Sequence, residues 1–162
     1  KSTTRHPIRI VVSSKGEIPL NAKVITHRPD IPTLIATTTQ CSFKQRNDLE
    51  KKGCRVIESG NGPLTDLPQL LNILKKDYNI KKLMLEGGSR LNGSMLQNKL
   101  IDEVQLAIAP VICGNEGVPL FTLPQSISTF NESPFFEVAS YDKIDDMIWL
   151  RLSVHYHSRR IT

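Results

Sequence analysis

The sequence predicts an α/β fold, with a mostly parallel central sheet flanked by helices and a C-terminal antiparallel hairpin. Three observations predict it. Short apolar runs rich in β-branched residues, at 8–12, 33–38 and 54–58, alternate with stretches of helical periodicity. The run 82–86 ends at Gly87 and Gly88. Leu91, Met95 and Leu96 then recur at helical spacing, and Val104, Leu106 and Ile108 alternate with a period of two. Near the end, Ile148, Leu150, Leu152 and Val154 share one strand face while Arg151, Ser153 and His155 take the other.

Taken in order, residues 8–12 follow Pro7 and are apolar enough for a strand covered on both faces. That strand ends at Ser13, Ser14, Lys15 and Gly16, a cluster that suits a phosphate and equally an ordinary polar turn. Residues 19–24 form an irregular excursion with one helical turn. The strand at 33–38 again ends in hydroxyls. A helix is expected over 42–52, with Ser42 as its N-cap and Gly53 just past its end, because glycine enters the left-handed conformation at little cost. After a strand at 54–58 and a loop at 59–62, Asp66 caps a second helix. Leu67, Leu70, Leu71 and Leu74 form its apolar stripe, and Lys75 and Lys76 lie in the last turn, where the helix dipole favours cations.

The stretch 82–108 then reads as strand, glycine turn, helix, strand. In open α/β sheets ligands sit at the carboxyl ends of strands, where the next helix offers unpaired N–H groups to an anion. Residues 115–133 lack periodicity and read as a long loop. Residues 135–141 and 147–156 form the hairpin, joined through 142–146, with Tyr141 and Trp149 expected to pack it.

The chain has 162 residues, 39% of them hydrophobic and 23% charged, which is ordinary for one globular domain. Its +5 formal charge is spread along the sequence and aromatics make up only 6%, so a phosphorylated small molecule is a better match than nucleic acid. No apolar run reaches the roughly 20 residues of a membrane span. The first residues show no signal-peptide pattern, and Cys41, Cys54 and Cys113 have neither disulfide nor zinc spacing, so the expected compartment is the cytoplasm, with these cysteines acting as small buried hydrophobes. No metal site is expected: His155 and His157 share a strand face but lie beside Arg159 and Arg160 in what reads as a solvated tail.

From the residues alone, the glycines at 87 and 88 serve a ligand-binding turn and close strand-to-helix packing equally well, and neither a dinucleotide fingerprint nor a Walker motif is present. Glu86 favours a ligand, since a carboxylate there can orient a polar heterocycle. No residue declares itself catalytic.

Leu83-Met84-Leu85-Glu86-Gly87-Gly88 with Leu91-Asn92, then Leu100-Ile101-Asp102-Glu103-Val104 and Ile108-Ala109-Pro110-Val111-Ile112-Cys113-Gly114, resembles the signature of the riboflavin-biosynthesis reductases, the family of the bacterial RibD C-terminal domain. The opening residues 7–15 and 18–24 resemble that family too, and the likeness runs from about Pro7 to Trp149. It is closest to the stand-alone archaeal and fungal type, because no zinc deaminase signature precedes it.

The resemblance implies a dihydrofolate-reductase-like fold, usually a homodimer, and NADPH-dependent reduction of the ribosyl group of a phosphorylated diaminopyrimidinone to ribityl. It implies that Val11, Val12, Ser13 and Ser14 contact the cofactor, and that Gly87, Gly88, Ser89, Arg90, Leu91 and Asn92 cradle its pyrophosphate. Glu86 would face the pyrimidine substrate. Thr37, Thr38 and Gly60 are secondary candidates for the adenosine end. Many members have Asp where Ser13 stands. Residues 1–162 are expected to form a single reductase-type domain lacking the family's N-terminal strand-helix-strand segment, whose Asp-Gly and Asp-Asp-Pro stretches build much of the substrate pocket. Two other functions compete: a related reductase acting on the deaminated pyrimidine or another pterin-like compound, and a non-catalytic nucleotide-binding module.

Overall fold

The computed structural model describes residues 6–112, 114, 117–127 and 133–156. Their contacts group into two compact units, Lys1–Lys82 and Leu83–Thr162.

The first unit contains β1 (Arg9–Val12), α1 (Lys23–Thr26), β2 (Thr33–Thr37), α2 (Phe43–Lys51), β3 (Arg55–Glu58) and α3 (Leu67–Asp77). Its sheet has the order β1-β2-β3 and is parallel throughout, with Val12 beside Ala36 and Ala36 beside Ile57. All five residues of the central strand β2 are buried, Thr33 and Thr37 with the apolar Leu34, Ile35 and Ala36 between them. Ile25, Ile35, Leu49 and Cys54 make the core on one side, with Val11, Val24 and Val56 against them. Leu67, Leu70 and Leu74 of α3 are buried as well, each contributing about 1.5–3 kcal/mol of burial.

The predicted caps hold. Ser42 Oγ accepts from the N–H of Gln45 at 3.1 Å, and Asp66 Oδ1 accepts from that of Gln69 at 2.9 Å. Gly53 adopts φ +83°. Arg9 does more than its place in a strand suggests. Its guanidinium donates to the carbonyls of His27 (2.6 Å), Arg28 (2.9 Å) and Ile31 (2.8 Å), closing the turn that feeds β2.

The second unit contains α4 (Ser89–Gln97), β4 (Glu103–Ile108), β5 (Phe135–Ile144) and β6 (Met147–His155), with the strands in the order β4-β6-β5. Here the structure corrects the local reading twice. Residues 82–86 belong to no strand, and Leu83 and Met84 are exposed. An apolar run becomes a strand only where a neighbour supplies the hydrogen-bond ladder, and no described strand pairs with this one. The strand predicted after α4 is present as β4, but it lies antiparallel to β6, so the parallel part of the fold has three strands.

The hairpin is longer than expected because its turn is tighter. β5 and β6 pair up to Ile144 and Met147, leaving Asp145 and Asp146 as a two-residue turn in which Asp145 takes φ +55°. An irregularity between Val138 and Ser140 shifts the side-chain alternation by one. Tyr141 therefore stands opposite Leu150 on the same face as Val138, Leu152, Leu106 and Val104. The opposite face is mixed, with Phe135, Met147 and Trp149 among its residues, and carries the Arg151–Glu103 pair at 2.7 Å and the His155–Glu137 pair at 2.9 Å. His155 lies in β6, as the strand pattern predicts; His157, Arg159 and Arg160 fall outside the described residues, as does Cys113. Tyr141 is 73% exposed and does not pack the hairpin as expected, while Trp149 is partly covered on the opposite face. Cys54 is buried and Cys41 half-buried. The Tyr156 hydroxyl accepts from the N–H of Ile101 and donates to its carbonyl, pinning the chain ahead of β4, and burial pushes the phenol's pKa up.

Candidate functional site

In the first unit, parallel pairing brings three strand ends to one rim: Ser13 and Ser14 after β1, Thr37 and Thr38 at the end of β2, and Ser59 and Gly60 after β3. This carboxyl edge is where open α/β sheets bind ligands. The threonines there serve the fold. Thr37 Oγ1 donates to the Ile57 carbonyl, and Thr38 Oγ1 donates to the Ser14 carbonyl while accepting from the N–H of Gln40. Ser59 Oγ donates to the Asp66 carbonyl at 2.7 Å. By contrast, among the described residues the hydroxyls of Ser13 and Ser14 have no protein partner, so they remain available to a ligand. Val11 and Val12 are half-buried and shape the rim from below. Gly60 takes φ +98°, and a Cβ there would press on the N–H of Asp66; its glycine is explained by the β3–α3 turn.

In the second unit, Gly87 and Gly88 adopt φ +127° and +85°, and a Cβ on either would meet nothing within 4 Å. They are therefore required by backbone conformation, not by crowding, and the space beside them is open. Gly88 is the N-cap of α4 and offers no capping side chain. Among the described residues the N–H groups of Ser89, Arg90 and Leu91 have no acceptor. These are the donors a helix leaves unpaired at its start, and the dipole adds partial positive charge there. Arg90 is exposed, and its guanidinium has no described partner.

Asn92 differs from its expected part in the cradle. Its N–H donates to the Gly88 carbonyl, and its side-chain amide donates to the Leu120 carbonyl at 2.9 Å. Its backbone donor is spent inside the helix, which narrows the available set to Ser89, Arg90 and Leu91. Glu86 is exposed and has no described partner.

Sequence reasoning missed Thr122 and Gly93. The Thr122 N–H donates to the Ser89 carbonyl at 2.8 Å, and a Cβ on Gly93 would run into the Thr122 carbonyl group. An isolated glycine inside a helical pattern was the available signal for the second; nothing local marks Thr122. Among the described residues no group of His, Cys, Asp and Glu is arranged to hold a metal, and no helix is long and apolar enough to cross a membrane.

The donor set at α4 suits a phosphate or diphosphate, the open glycine turn lets it approach the backbone, and the neighbouring carboxylate suits a hydrogen-bond donor. A family model described as RibD C-terminal domain matches residues 1–148. The chain belongs to the RibD C-terminal domain family. Two relatives are named 2,5-diamino-6-ribosylamino-4(3H)-pyrimidinone 5′-phosphate reductase. The protein of Aquifex aeolicus is 30% identical over 152 residues, covering 94% of this chain and 60% of its own. That of Methanothermobacter thermautotrophicus is 33% identical over 144 residues, covering 88% and 64%. The solved structure of Acinetobacter baumannii RibD superposes with a TM-score of 0.76 at 26% identity, over 92% of this chain and 38% of that one. The dihydrofolate-reductase-like fold implied by the sequence resemblance is thereby shown. The chain spans about 60% of the length of the two named reductases.

Proposed function

We propose that this member of the RibD C-terminal domain family is the NADPH-dependent reductase of riboflavin biosynthesis. It would reduce the ribosyl group of 2,5-diamino-6-ribosylamino-4(3H)-pyrimidinone 5′-phosphate to ribityl. The observation that carries this reading is the family match over residues 1–148, with relatives of that name aligned across most of the chain. The proposed cofactor contacts are Val11, Val12, Ser13 and Ser14 in the first unit and Gly87, Gly88, Ser89, Arg90 and Leu91 in the second; Asn92, whose N–H is spent on the Gly88 carbonyl, supports them. When bound, NADPH supplies the hydride.

The protein's part is to bind, orient and exclude water. The free N–H groups of Ser89, Arg90 and Leu91 would hold the pyrophosphate, with the Arg90 guanidinium adding positive charge beside it, and Asn92 would keep the helix start in shape. Glu86 would accept hydrogen bonds from the amino groups of the pyrimidine. Residues 1–162 are proposed to work as one reductase-type domain, in the cytoplasm.

The purified protein with NADPH should lose the absorbance of the reduced nicotinamide only when the pyrimidine substrate is added. Substrate-independent oxidation, or none with either the diaminopyrimidinone or its deaminated counterpart, would sink the proposal. Faster turnover of the deaminated compound would instead favour the related reductase activity. Tight NADPH binding without turnover would favour a binding module.

A homodimer is also proposed, through the apolar face of the antiparallel sheet. Ile108, Val138, Tyr141 and Ile148 share that face, with Lys143 beside Ile148, and remain 46–73% exposed; exposed apolar side chains gathered on one face mark association surfaces. Sedimentation equilibrium should return twice the chain mass for the wild type and a shift toward monomer for Ile148→Asp. A monomeric wild type would refute the dimer.

A further inference from the structure

We infer that Thr122 is a positioning residue for the cofactor-binding end of α4, acting through Ser89; the inference rests on the reading of that helix end given above. Described residues 117–127 contain no helix or strand, yet they are tied to α4 along its whole length. The Thr122 N–H donates to the Ser89 carbonyl at 2.8 Å, and the Thr122 hydroxyl donates to Ser89 Oγ at 3.0 Å. Asn92 Nδ2 reaches the Leu120 carbonyl at 2.9 Å, and Gln97 Nε2 reaches Gln125 Oε1 at 3.2 Å. Gly93 leaves the Thr122 backbone room to lie against the helix.

The consequence falls on one rotor. Ser89 is the first residue of α4, and a serine there can turn its hydroxyl among several backbone groups. With Thr122 donating to its oxygen, the Ser89 hydroxyl is held as an acceptor on that side. That contact confines the Ser89 side chain to one rotamer at the start of α4, the end that carries the three unpaired N–H groups. Thr122 touches no proposed ligand; it sets in advance where the Ser89 hydroxyl stands, and a group already in place gives up less freedom on binding.

Calorimetric titration with NADPH tests this on the full chain, with thermal unfolding followed for every variant. Thr122→Val removes the hydroxyl but keeps the backbone N–H bond, and should weaken NADPH binding by about three- to tenfold, the worth of one oriented hydrogen bond. Thr122→Ser should restore the affinity to within about twofold. In a Ser89→Ala background Thr122→Val should have no further effect, because Thr122 then has no Ser89 hydroxyl to hold. Thr122→Ala carries the same expectations should the valine methyl disturb the fold. Wild-type affinity in Thr122→Val, or an undiminished loss in the Ser89→Ala background, overturns the inference and leaves the cofactor reading intact. Absence of NADPH binding by the unsubstituted protein overturns both.

Discussion

Gly93→Ala is expected to destabilise the protein by about 3 kcal/mol, at the upper end of what an extra methyl costs in a packed site. The reason is the identity of the obstacle. A Cβ at Gly93 would meet the Thr122 carbonyl and the N–H of Leu123. Backbone cannot rotate away as a flexible side chain does, so either α4 moves or the 117–127 segment is pushed off it. Moving the segment breaks the Thr122 and Asn92 bonds together, and the start of α4 loses its support. Gly62→Ala is the matched control, since a Cβ there meets nothing within 4 Å and its φ is not in the left-handed range; its effect should stay within about 0.5 kcal/mol. Urea unfolding of the two variants beside the wild type decides the matter. Equal stability of Gly93→Ala and the wild type would mean that the segment does not lie against the helix.

The second large effect is on turnover. Glu86→Gln should lower kcat/KM for the diaminopyrimidinone by about 10- to 100-fold, the range of one hydrogen bond to a charged group, while NADPH affinity stays within about twofold. An ionised carboxylate only accepts hydrogen bonds, which suits the exocyclic amino groups of such a ring. A carboxamide keeps the shape but turns half of that acceptor into a donor. Glu86 is exposed and makes no described hydrogen bond, so the fold loses nothing and the melting temperature should not move. Steady-state kinetics with each substrate varied in turn separates the two ligands. Unchanged kcat/KM for the pyrimidine would remove Glu86 from the substrate site, and an equal loss of NADPH affinity would move it to the cofactor.

Features written in a few consecutive residues were legible from the sequence. Ser42, Asp66 and Gly53 stand at helix ends, and their side chain or backbone acts within four residues of its own position. The leucine stripe of α3 and the alternation in β6 are equally local, because the backbone repeat itself decides which side chains share a face. Of the candidate site, Gly87 and Gly88 were legible as a turn, since glycine is the cheapest answer to a positive φ. The role of Asn92 was not legible, because its side chain answers to Leu120, 28 residues away.

What the sequence by itself determined, then, is where elements begin and end, which faces are apolar, and, through its Glu-Gly-Gly signature, the family. Only the tertiary structure decided the partners. Residues 82–86 have strand-like composition yet lie in no strand, and β4 runs antiparallel to β6, because a ladder is formed by two segments and only one of them is visible in a local pattern. Arg9 reads as one residue of a strand, but its guanidinium gathers carbonyls up to 22 residues distant. Thr122 carries no local mark and becomes meaningful only at the hydroxyl of Ser89, 33 positions earlier. Local propensity acts over one turn or one pleat, whereas the geometry at the start of α4 depends on contacts that exist only after the chain has closed on itself.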